Sequence, residues 1–218
     1  MSNPNGIKSI IASKGIEEIL HFTMGGAGLT GILDTRAVQS RQRLEQDERI
    51  SYIFEPTAPF RKDKAWLDYV NMSISEINSD FFAVVSERWH KPFKQWWVIL
   101  AFDPVVATHE GVYFTTTNNI YTGVSRATGE GGLNALFAPS ITRWENEVVH
   151  RVDGLAASWT TCEQAEILYP REVSTDFLRK IYVRYGEEKD DVHAQLAALR
   201  HEDVEVIIAP ERFRGRKG

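Results

Sequence analysis

Residues 161–170 read TCEQAEILYP, and this stretch constrains the fold and the function of the chain more than any other. An apolar run of Ile, Leu and Tyr follows a polar approach and stops at Pro170, which predicts a short β-strand. Glu166 opens the run, so we expect its carboxylate at the mouth of a sheet, where a strand can hold it rigidly. The alternative is a glutamate at a strand edge that faces water, since Glu is usually exposed.

The composition is that of a folded protein without disulfides. The 218 residues are 43% hydrophobic and 11% aromatic, which suffices for one domain with a sizeable core. Cys162 is the single cysteine, so an intrachain disulfide is excluded and a reducing compartment is expected. The sequence has no apolar run long enough to span a membrane and no secretory signal, which together predict a cytoplasmic protein.

The charge pattern argues against a protein that coats nucleic acid by bulk electrostatics, because the net charge is −5. A local basic groove remains compatible with the sequence. Its candidate members are Arg36, Arg41 and Arg43, then Arg61, Lys62 and Lys64, then Arg88, Lys91 and Lys94. Residues 211–218 are also basic, and a frayed tail is the alternative interpretation there.

The predicted elements mix helices with strands. Strands are expected near residues 21–23, 95–102, 111–116, 181–185 and 204–208, and helices within residues 9–20 and 190–200. The apolar run at 95–102 is typical of a buried central strand.

Other segments are less clear from the sequence. Residues 66–75 and 81–85 fit strands or a strand and a helix, and residues 35–50 fit a helix and a loop. Residues 118–134 are polar and glycine-rich, which predicts a long loop of the kind that is often functional. The mixed order predicts an α+β fold, with a twisted central sheet in a single domain over residues 1–218.

Two polar side chains are expected side by side near the N-terminus. His21 and Thr23 are two residues apart on a predicted strand, which places them on one face. Their donors and acceptors could hold a sugar or an amide, although a lone histidine is more often structural. The following glycine-rich residues 24–28 lack the Gly-Lys-Ser/Thr ending of a phosphate-binding loop, yet their backbone could approach a dinucleotide closely.

Other reactive residue types lack the partners that chemistry would require. Cys162 has no evident histidine partner, so a nucleophilic role is not expected. His109-Glu110 and His201-Glu202 lack the second histidine of a zinc helix, so no metal site is predicted.

Several of these segments together resemble the DarT family of bacterial toxins, which transfer ADP-ribose from NAD to bases of single-stranded DNA. Residues 164–168 resemble the family's catalytic-glutamate strand, and residues 20–23 resemble its His-x-Thr strand. Residues 28–33 resemble the helix and turn that follow in the family. Residues 67–70 resemble its Leu-His-Asp-Tyr-Val segment, and residues 112–116 resemble its Phe-Val-Phe-Thr-Asp strand. The order is kept from Leu20 to Leu168, which implies an ADP-ribosyltransferase-like fold.

The resemblance implies the roles of several residues. Glu166 would be catalytic, because a carboxylate stabilises the positive charge that develops on the ribose. Glu163 is its nearest rival, although an offset of three along a strand would place it on the opposite face. Arg61, with Arg49 as the fallback, would contact NAD phosphate and assist proton removal at the base. The residues implied in binding NAD are His21, Thr23, Gly28, Leu29 and Arg61.

The resemblance also implies a nucleic-acid partner. Residues 118–134 would lie near the target base, and their side chains suit stacking and hydrogen bonding to it. The implied DNA-binding residues are Asn118, Asn119, Tyr121 and Arg126. An ordinary polar loop is the alternative. A cognate antitoxin that removes ADP-ribose is the second implied partner.

One segment departs from the family pattern. Residues 70–78 stand where the commoner branch has Pro-Phe-Tyr-Phe and a Pro-Arg-Ser-Pro-Met turn, which indicates a divergent branch. The missing block favours guanine over thymine as the modified base. Two other hypotheses are an NAD-dependent transferase acting on RNA or protein, and a catalytically dead binding module, against which the retained Glu166 argues.

Overall fold

The computed structural model describes residues 4–46, 64–89 and 95–217. The strands of this part of the chain are β1 (Ile19–Met24), β2 (Ala37–Gln39), β3 (Tyr69–Ile74), β4 (Trp97–Phe102), β5 (Tyr113–Thr115), β6 (Arg126–Thr128), β7 (Ser140–Thr142), β8 (Val148–His150), β9 (Glu166–Pro170), β10 (Glu172–Ser174), β11 (Leu178–Val183) and β12 (Glu205–Ile208). The α-helices are α1 (Pro4–Lys14), α2 (Ala27–Thr35), α3 (Arg41–Gln46), α4 (Ser79–Ala83), α5 (Gly129–Ala135) and α6 (Gly186–Ala198). A π-helix, Val84–Trp89, continues α4.

The central sheet has eight strands in the spatial order β12-β11-β4-β1-β3-β9-β5-β6. Neighbouring strands are antiparallel except β11 and β12, which are parallel and are connected through α6. The pairs β2–β10 and β7–β8 form two small antiparallel sheets. One α+β domain with a large central sheet confirms the predicted fold class.

The strand β4 shows why residues 95–102 are continuously apolar. All six of its side chains are buried. Leu100 and Phe102 pack into one hydrophobic cluster, whereas Trp97 and Ile99 pack into a second cluster on the other face. A strand covered on both faces requires apolar residues at every position.

Several further elements lie where the sequence predicts them. The strands expected at 111–116, 181–185 and 204–208 are β5, β11 and β12, and the helix expected at 190–200 is α6. The strand β9 begins at Glu166 and ends at Pro170, as the opening stretch predicts. Of the two alternatives for residues 66–75 and 81–85, the structure has a strand followed by a helix, which begins where the Asn78 side chain accepts a hydrogen bond from the N–H of Phe81.

The prediction of one long loop over residues 118–134 is wrong for its second half, which forms β6 and the start of α5. The glycines there serve close packing. A Cβ atom on Gly132 would lie 2.5 Å from the carbonyl oxygen of Ala127, so only glycine allows α5 to pack this close to β6. Residues 35–46 likewise contain the strand β2 as well as the expected helix.

The basic C-terminal segment is packed against the domain, so the interpretation of a frayed tail is wrong for Arg216. The Arg216 guanidinium donates to the carbonyls of Thr160 and Thr161 and pairs with the carboxylate of Glu76. It therefore ties the turn before β9 to the segment that follows β3. None of the helices in the described part of the chain has the length and apolar character needed to cross a bilayer.

Candidate active site

The candidate site is a cleft that forms where two central strands separate. The strands β1 and β3 pair only at Ile19–Ile74 and Leu20–Ser73. From the second pair onward, residues 20–24 and 70–73 both line a cleft with a cavity volume of about 160 Å³. Glu166, the first residue of β9, lines the same cleft. The site is thus an opening within the sheet.

His21 spans the gap between the diverging strands. Its Nδ1 atom lies 2.9 Å from the carbonyl oxygen of Asn71 on β3. A carbonyl oxygen only accepts, so Nδ1 carries the hydrogen of this bond. Thr23 lines the cleft together with His21. Both also line a smaller neighbouring cavity that Phe22 does not line, which agrees with their predicted position on one face of the strand.

Gly28 and Leu29, two of the other residues expected at the cofactor, differ in their position. Gly28 lines a smaller cavity that also includes His21 and Thr23. A Cβ atom on Gly28 would collide with the Thr23 hydroxyl, so glycine is required for α2 to approach β1. The Leu29 side chain is fully buried in the core and lines neither cavity, so only its backbone could meet a cofactor.

Glu166 is buried, with 6% of its surface exposed, so the alternative of a water-facing strand-edge glutamate is wrong. Its Oε2 atom accepts a hydrogen bond of 2.8 Å from the backbone N–H of Asn119. Buried carboxylates require such donors, because desolvation without a partner is costly. The bond fixes the carboxylate at the first residue of β9.

Arg126 in turn fixes Asn119. Its Nε donates to the side-chain oxygen of Asn119 and its Nη2 donates to the backbone carbonyl of Asn119, both at 2.6 Å. The guanidinium lies over the ring of Trp66, 5.4 Å from the ring centre. Burial lowers the pKa of Arg126, and the nearby Glu166 carboxylate opposes that shift. A connected series of contacts from Trp66 to Arg126, Asn119 and Glu166 therefore supports the candidate catalytic group.

Glu163 has a different environment from Glu166. It lies in the turn before β9 and not on a strand, so the argument from opposite strand faces does not apply to it. Burial, together with a hydrogen bond and charge repulsion from Asp80, raises the pKa of Glu163 to about 6. Glu163 does not line the cleft.

The four residues implied in DNA binding have structural contacts of their own. Asn118 closes a turn, because its side-chain oxygen accepts from the N–H of Ile120 and its carbonyl accepts from the N–H of Tyr121. Asn119 and Arg126 hold Glu166, and Tyr121 is half-buried against Trp144. Contact between any of these residues and DNA stays a prediction.

Arg41 and Asn78 are among the cleft residues that the sequence did not single out for the site. Arg41 on α3 is the one arginine that lines the cleft among the residues the structure describes, and the sequence placed it only in a basic cluster. Asn78 also lines the cleft. Its Oδ1 atom caps α4, whereas its Nδ2 atom has no hydrogen-bond partner among the residues that the structure describes. No local pattern marks either residue as a site residue. Arg61 and its fallback Arg49 lie outside the described residues.

A metal centre is not seen in the described residues. No group of three or more His, Cys, Asp or Glu side chains in residues 4–46, 64–89 and 95–217 is placed to hold a metal ion. The expectation of metal-free chemistry stays a prediction.

The comparison with known families agrees with this geometry. The family model of DarT, described as an ssDNA thymidine ADP-ribosyltransferase, matches residues 21–214. The chain belongs to the DarT family. The matched range contains His21, Arg126 and Glu166, and every residue that lines the cleft except Leu20. No curated protein matches the chain significantly.

Solved DarT structures share the fold at low sequence identity. DarT of Thermus sp. 2.9 in complex with NAD+ has a TM-score of 0.63 and 16% identity, over 90% of this chain and 96% of that one. The same enzyme with ADP-ribosylated ssDNA has a TM-score of 0.61 and 15% identity, over 91% and 96%. Thermosipho africanus DarTG with ADP-ribose has a TM-score of 0.56 and 14% identity, over 90% of this chain and 51% of that one.

Proposed function

We propose that this chain is an NAD-dependent enzyme that transfers ADP-ribose to a base of single-stranded DNA. The observation that carries the proposal is the buried Glu166 carboxylate, held at a sheet cleft in a chain of the DarT family. The Thermus sp. 2.9 complexes with NAD+ and with ADP-ribosylated ssDNA support both substrates.

The chemistry requires stabilisation of a transient cation. Nicotinamide leaves with the electron pair of its bond to the ribose, and positive charge develops on the sugar. A fixed carboxylate beside the sugar stabilises that charge. A nitrogen of the DNA base then bonds to the same ribose carbon and releases its proton. Glu166 supplies the carboxylate in this proposal. The Asn119 N–H holds the carboxylate in one position, and the Arg126 guanidinium in turn holds Asn119.

The cleft residues are suited to NAD. We assign His21 and Thr23 to the ribose or the amide of NAD, and Gly28 to close approach of the backbone. Arg41 is suited to a phosphate, because guanidinium binds phosphate oxygens with two donors. The catalytic and phosphate-binding roles of Arg61 remain part of the proposal by family resemblance alone.

The base is the part of the substrate that the divergent segment affects. Residues 71–73 and Asn78 line the cleft, so the segment that departs from the family pattern is next to Glu166. The matched family description names thymidine, and the comparisons give no support to the guanine preference inferred from the missing Pro-Phe-Tyr-Phe block. The proposal therefore takes thymine as the first base to test.

The decisive experiment is incubation with labelled NAD and a panel of acceptors. Single-stranded oligonucleotides of each base, duplex DNA, RNA and protein are digested and analysed by mass spectrometry for ADP-ribosylated products. We expect an adduct on a single-stranded DNA base, with much less on duplex, because extruding a paired base costs a few kcal/mol. A guanine adduct would correct the base only. Adducts on RNA or protein alone would overturn the acceptor, and no release of nicotinamide would indicate a binding module.

The chain spans about half the length of the Thermosipho africanus DarTG chain that it matches. We propose that it acts as a toxin with a partner antitoxin that removes ADP-ribose. Expression of the wild-type chain is expected to arrest growth, and co-expression of the antitoxin is expected to restore it. The Glu166→Gln variant is the matched control, since it should not arrest growth. Equal arrest by this variant would contradict the proposal.

A further inference from the structure

An exposed tryptophan lies on the hairpin formed by β7 and β8. Trp144 is 54% exposed, which is unusual for the largest apolar side chain. The hairpin connection is well defined: Arg143 donates two hydrogen bonds to the Glu147 carboxylate, and Glu145 and Asn146 adopt left-handed backbone conformations. The ring of Trp144 is thus presented to solvent on an ordered support.

The inner side of Trp144 packs against Tyr121, with ring centres 5.2 Å apart. Burial raises the pKa of Tyr121, while the Arg143 guanidinium and a hydrogen bond from Gln164 lower it. Tyr121 is therefore held by its ring contact with Trp144 and by the Gln164 hydrogen bond. Ile120, its chain neighbour, is also exposed.

This aromatic surface is directly connected to the candidate catalytic group. Tyr121 is two residues after Asn119, whose N–H holds Glu166. Gln164, on the other side of Tyr121, is two residues before Glu166. Both chain segments that place the carboxylate thus also support the Trp144 platform.

We infer that Trp144 stacks on a nucleobase adjacent to the target base and thereby sets the affinity for single-stranded DNA. The inference rests on the proposed function. An aromatic face binds any base by stacking, and single-stranded nucleic acid offers unpaired faces. Trp144 is a binding residue in this assignment and takes no part in the transfer step.

A base is favoured over an apolar protein partner because of where the surface lies. Asn119 begins the segment that ends at Tyr121, and its N–H contacts the Glu166 carboxylate. The DNA strand that carries the target base is an occupant that reaches this carboxylate. Arg143 is paired with Glu147, so the platform offers a ring face and not a free cation for phosphate. Stacking is therefore the interaction that this surface can supply.

The test is an abasic scan combined with variants. Single abasic sites are placed at each position around the modified base, and KM and kcat for transfer are measured. For the wild-type enzyme, one neighbouring position should raise KM when its base is absent. Trp144→Ala should raise KM for the intact oligonucleotide about 5- to 150-fold with kcat unchanged, the size expected for loss of one stacked base. In this variant the abasic penalty at that position should disappear.

Two control variants separate stacking from general effects. Trp144→Phe keeps a ring and should retain most of the affinity. Tyr185→Ser removes an exposed ring that follows β11, whereas Tyr121, which packs against Trp144, precedes β6 at the opposite edge of the central sheet. Serine is a good cap for α6. This variant should leave KM for DNA unchanged.

The outcomes distinguish this inference from the proposed function. An unchanged KM and an unchanged abasic profile in Trp144→Ala would overturn the inference while leaving the transfer activity established. Weaker binding of a protein antitoxin with unchanged KM for DNA would assign the surface to that partner and also overturn it. If the wild-type enzyme modifies no DNA at all, the proposed function fails and the inference with it. The abasic scan uses the wild-type enzyme, so this part of the test does not depend on whether any variant folds.

Discussion

Two glutamates three residues apart have opposite environments in this molecule. Glu166 starts β9, is buried, accepts the Asn119 N–H and lies near the Arg126 guanidinium. Glu163 lies in the preceding turn, half-buried, and faces the carboxyl of Asp80. A donor and a cation surround the first carboxylate, and a like charge meets the second. The same side chain is thus suited to stabilising a cation in one place and to sharing a proton in the other.

The difference shows that the surroundings decide the role of a carboxylate. The turn before β9 contains Glu163 and leads into the strand that begins at Glu166. Arg216 holds this turn through the carbonyls of Thr160 and Thr161. The contrast between the two glutamates therefore depends on a contact made by the C-terminal segment.

The largest expected effect comes from removing the charge of Glu166. Glu166→Gln should lower kcat for transfer by at least about 100-fold, the usual loss for one electrostatic group at a transition state, with little change in NAD affinity. Single-turnover transfer and calorimetry with NAD measure the two quantities. Glu163→Gln is the matched control and should keep near wild-type transfer. Full activity in Glu166→Gln would remove the catalytic assignment.

The next effect separates binding from transfer. Thr23→Ala and His21→Ala should each weaken NAD binding by about 1–3 kcal/mol, the usual loss when a buried hydrogen bond is unmade. Calorimetry with NAD gives the affinity, and thermal unfolding gives the stability of each variant. If the affinity is unchanged and the stability falls, these residues are structural, and Glu166 would have to act in a differently placed NAD site.

A smaller effect is expected at Arg126, which holds the Asn119 segment that binds Glu166. Arg126→Gln should lower kcat about 10-fold, since the Asn119 segment loses two charge-assisted hydrogen bonds and the carboxylate is held less firmly. Arg126→Lys should not restore the rate, because an ammonium group cannot reproduce the two directed hydrogen bonds that the guanidinium donates to Asn119. An increase of KM for DNA with kcat unchanged would instead favour the direct DNA contact that the sequence implies.

The smallest effect concerns stability at Glu163. Its pKa of about 6 in the folded protein exceeds the ordinary value of 4.5, so the protonated form is favoured by folding. This stabilisation is fully present below pH 4.5 and is lost as the pH rises through 6. Asp80 and Glu76 increase the effect, and Arg216 opposes it.

Glu163→Gln mimics the protonated form, so it should be more stable than the wild type at pH 7 and equal to it near pH 4. After allowance for solvent screening we expect a difference of about 1 kcal/mol, or a shift in Tm of about 2–4 °C. Thermal unfolding across this pH range measures it. A difference that grows toward low pH would contradict the assigned direction.

The sequence predicts those parts of the site that depend on local patterns. An apolar run ending at Pro170 predicts the strand that begins with Glu166, and a spacing of two predicts that His21 and Thr23 share a face. The mixed order of elements likewise predicts the α+β class.

The remaining features depend on long-range contacts that leave no local pattern. Any residue type could supply the backbone N–H that binds Glu166, and Asn119 lies 47 residues away from it. The cleft exists because β1 and β3 stop pairing after Leu20, which no composition encodes. Gly132 indicates a loop by its type, whereas the structure uses it for close packing of α5 on β6.

The position of β9 has a consequence for synthesis of the protein. This strand lies between β3 and β5, although it follows both in the chain. A growing chain therefore contains His21 and Thr23 long before the strand that joins the two parts of the sheet, and such non-local pairing forms late. Transfer activity should be absent from any fragment that ends before residue 161, which expression of nested fragments can check. The proposed transfer activity therefore begins only after β9 has been synthesised.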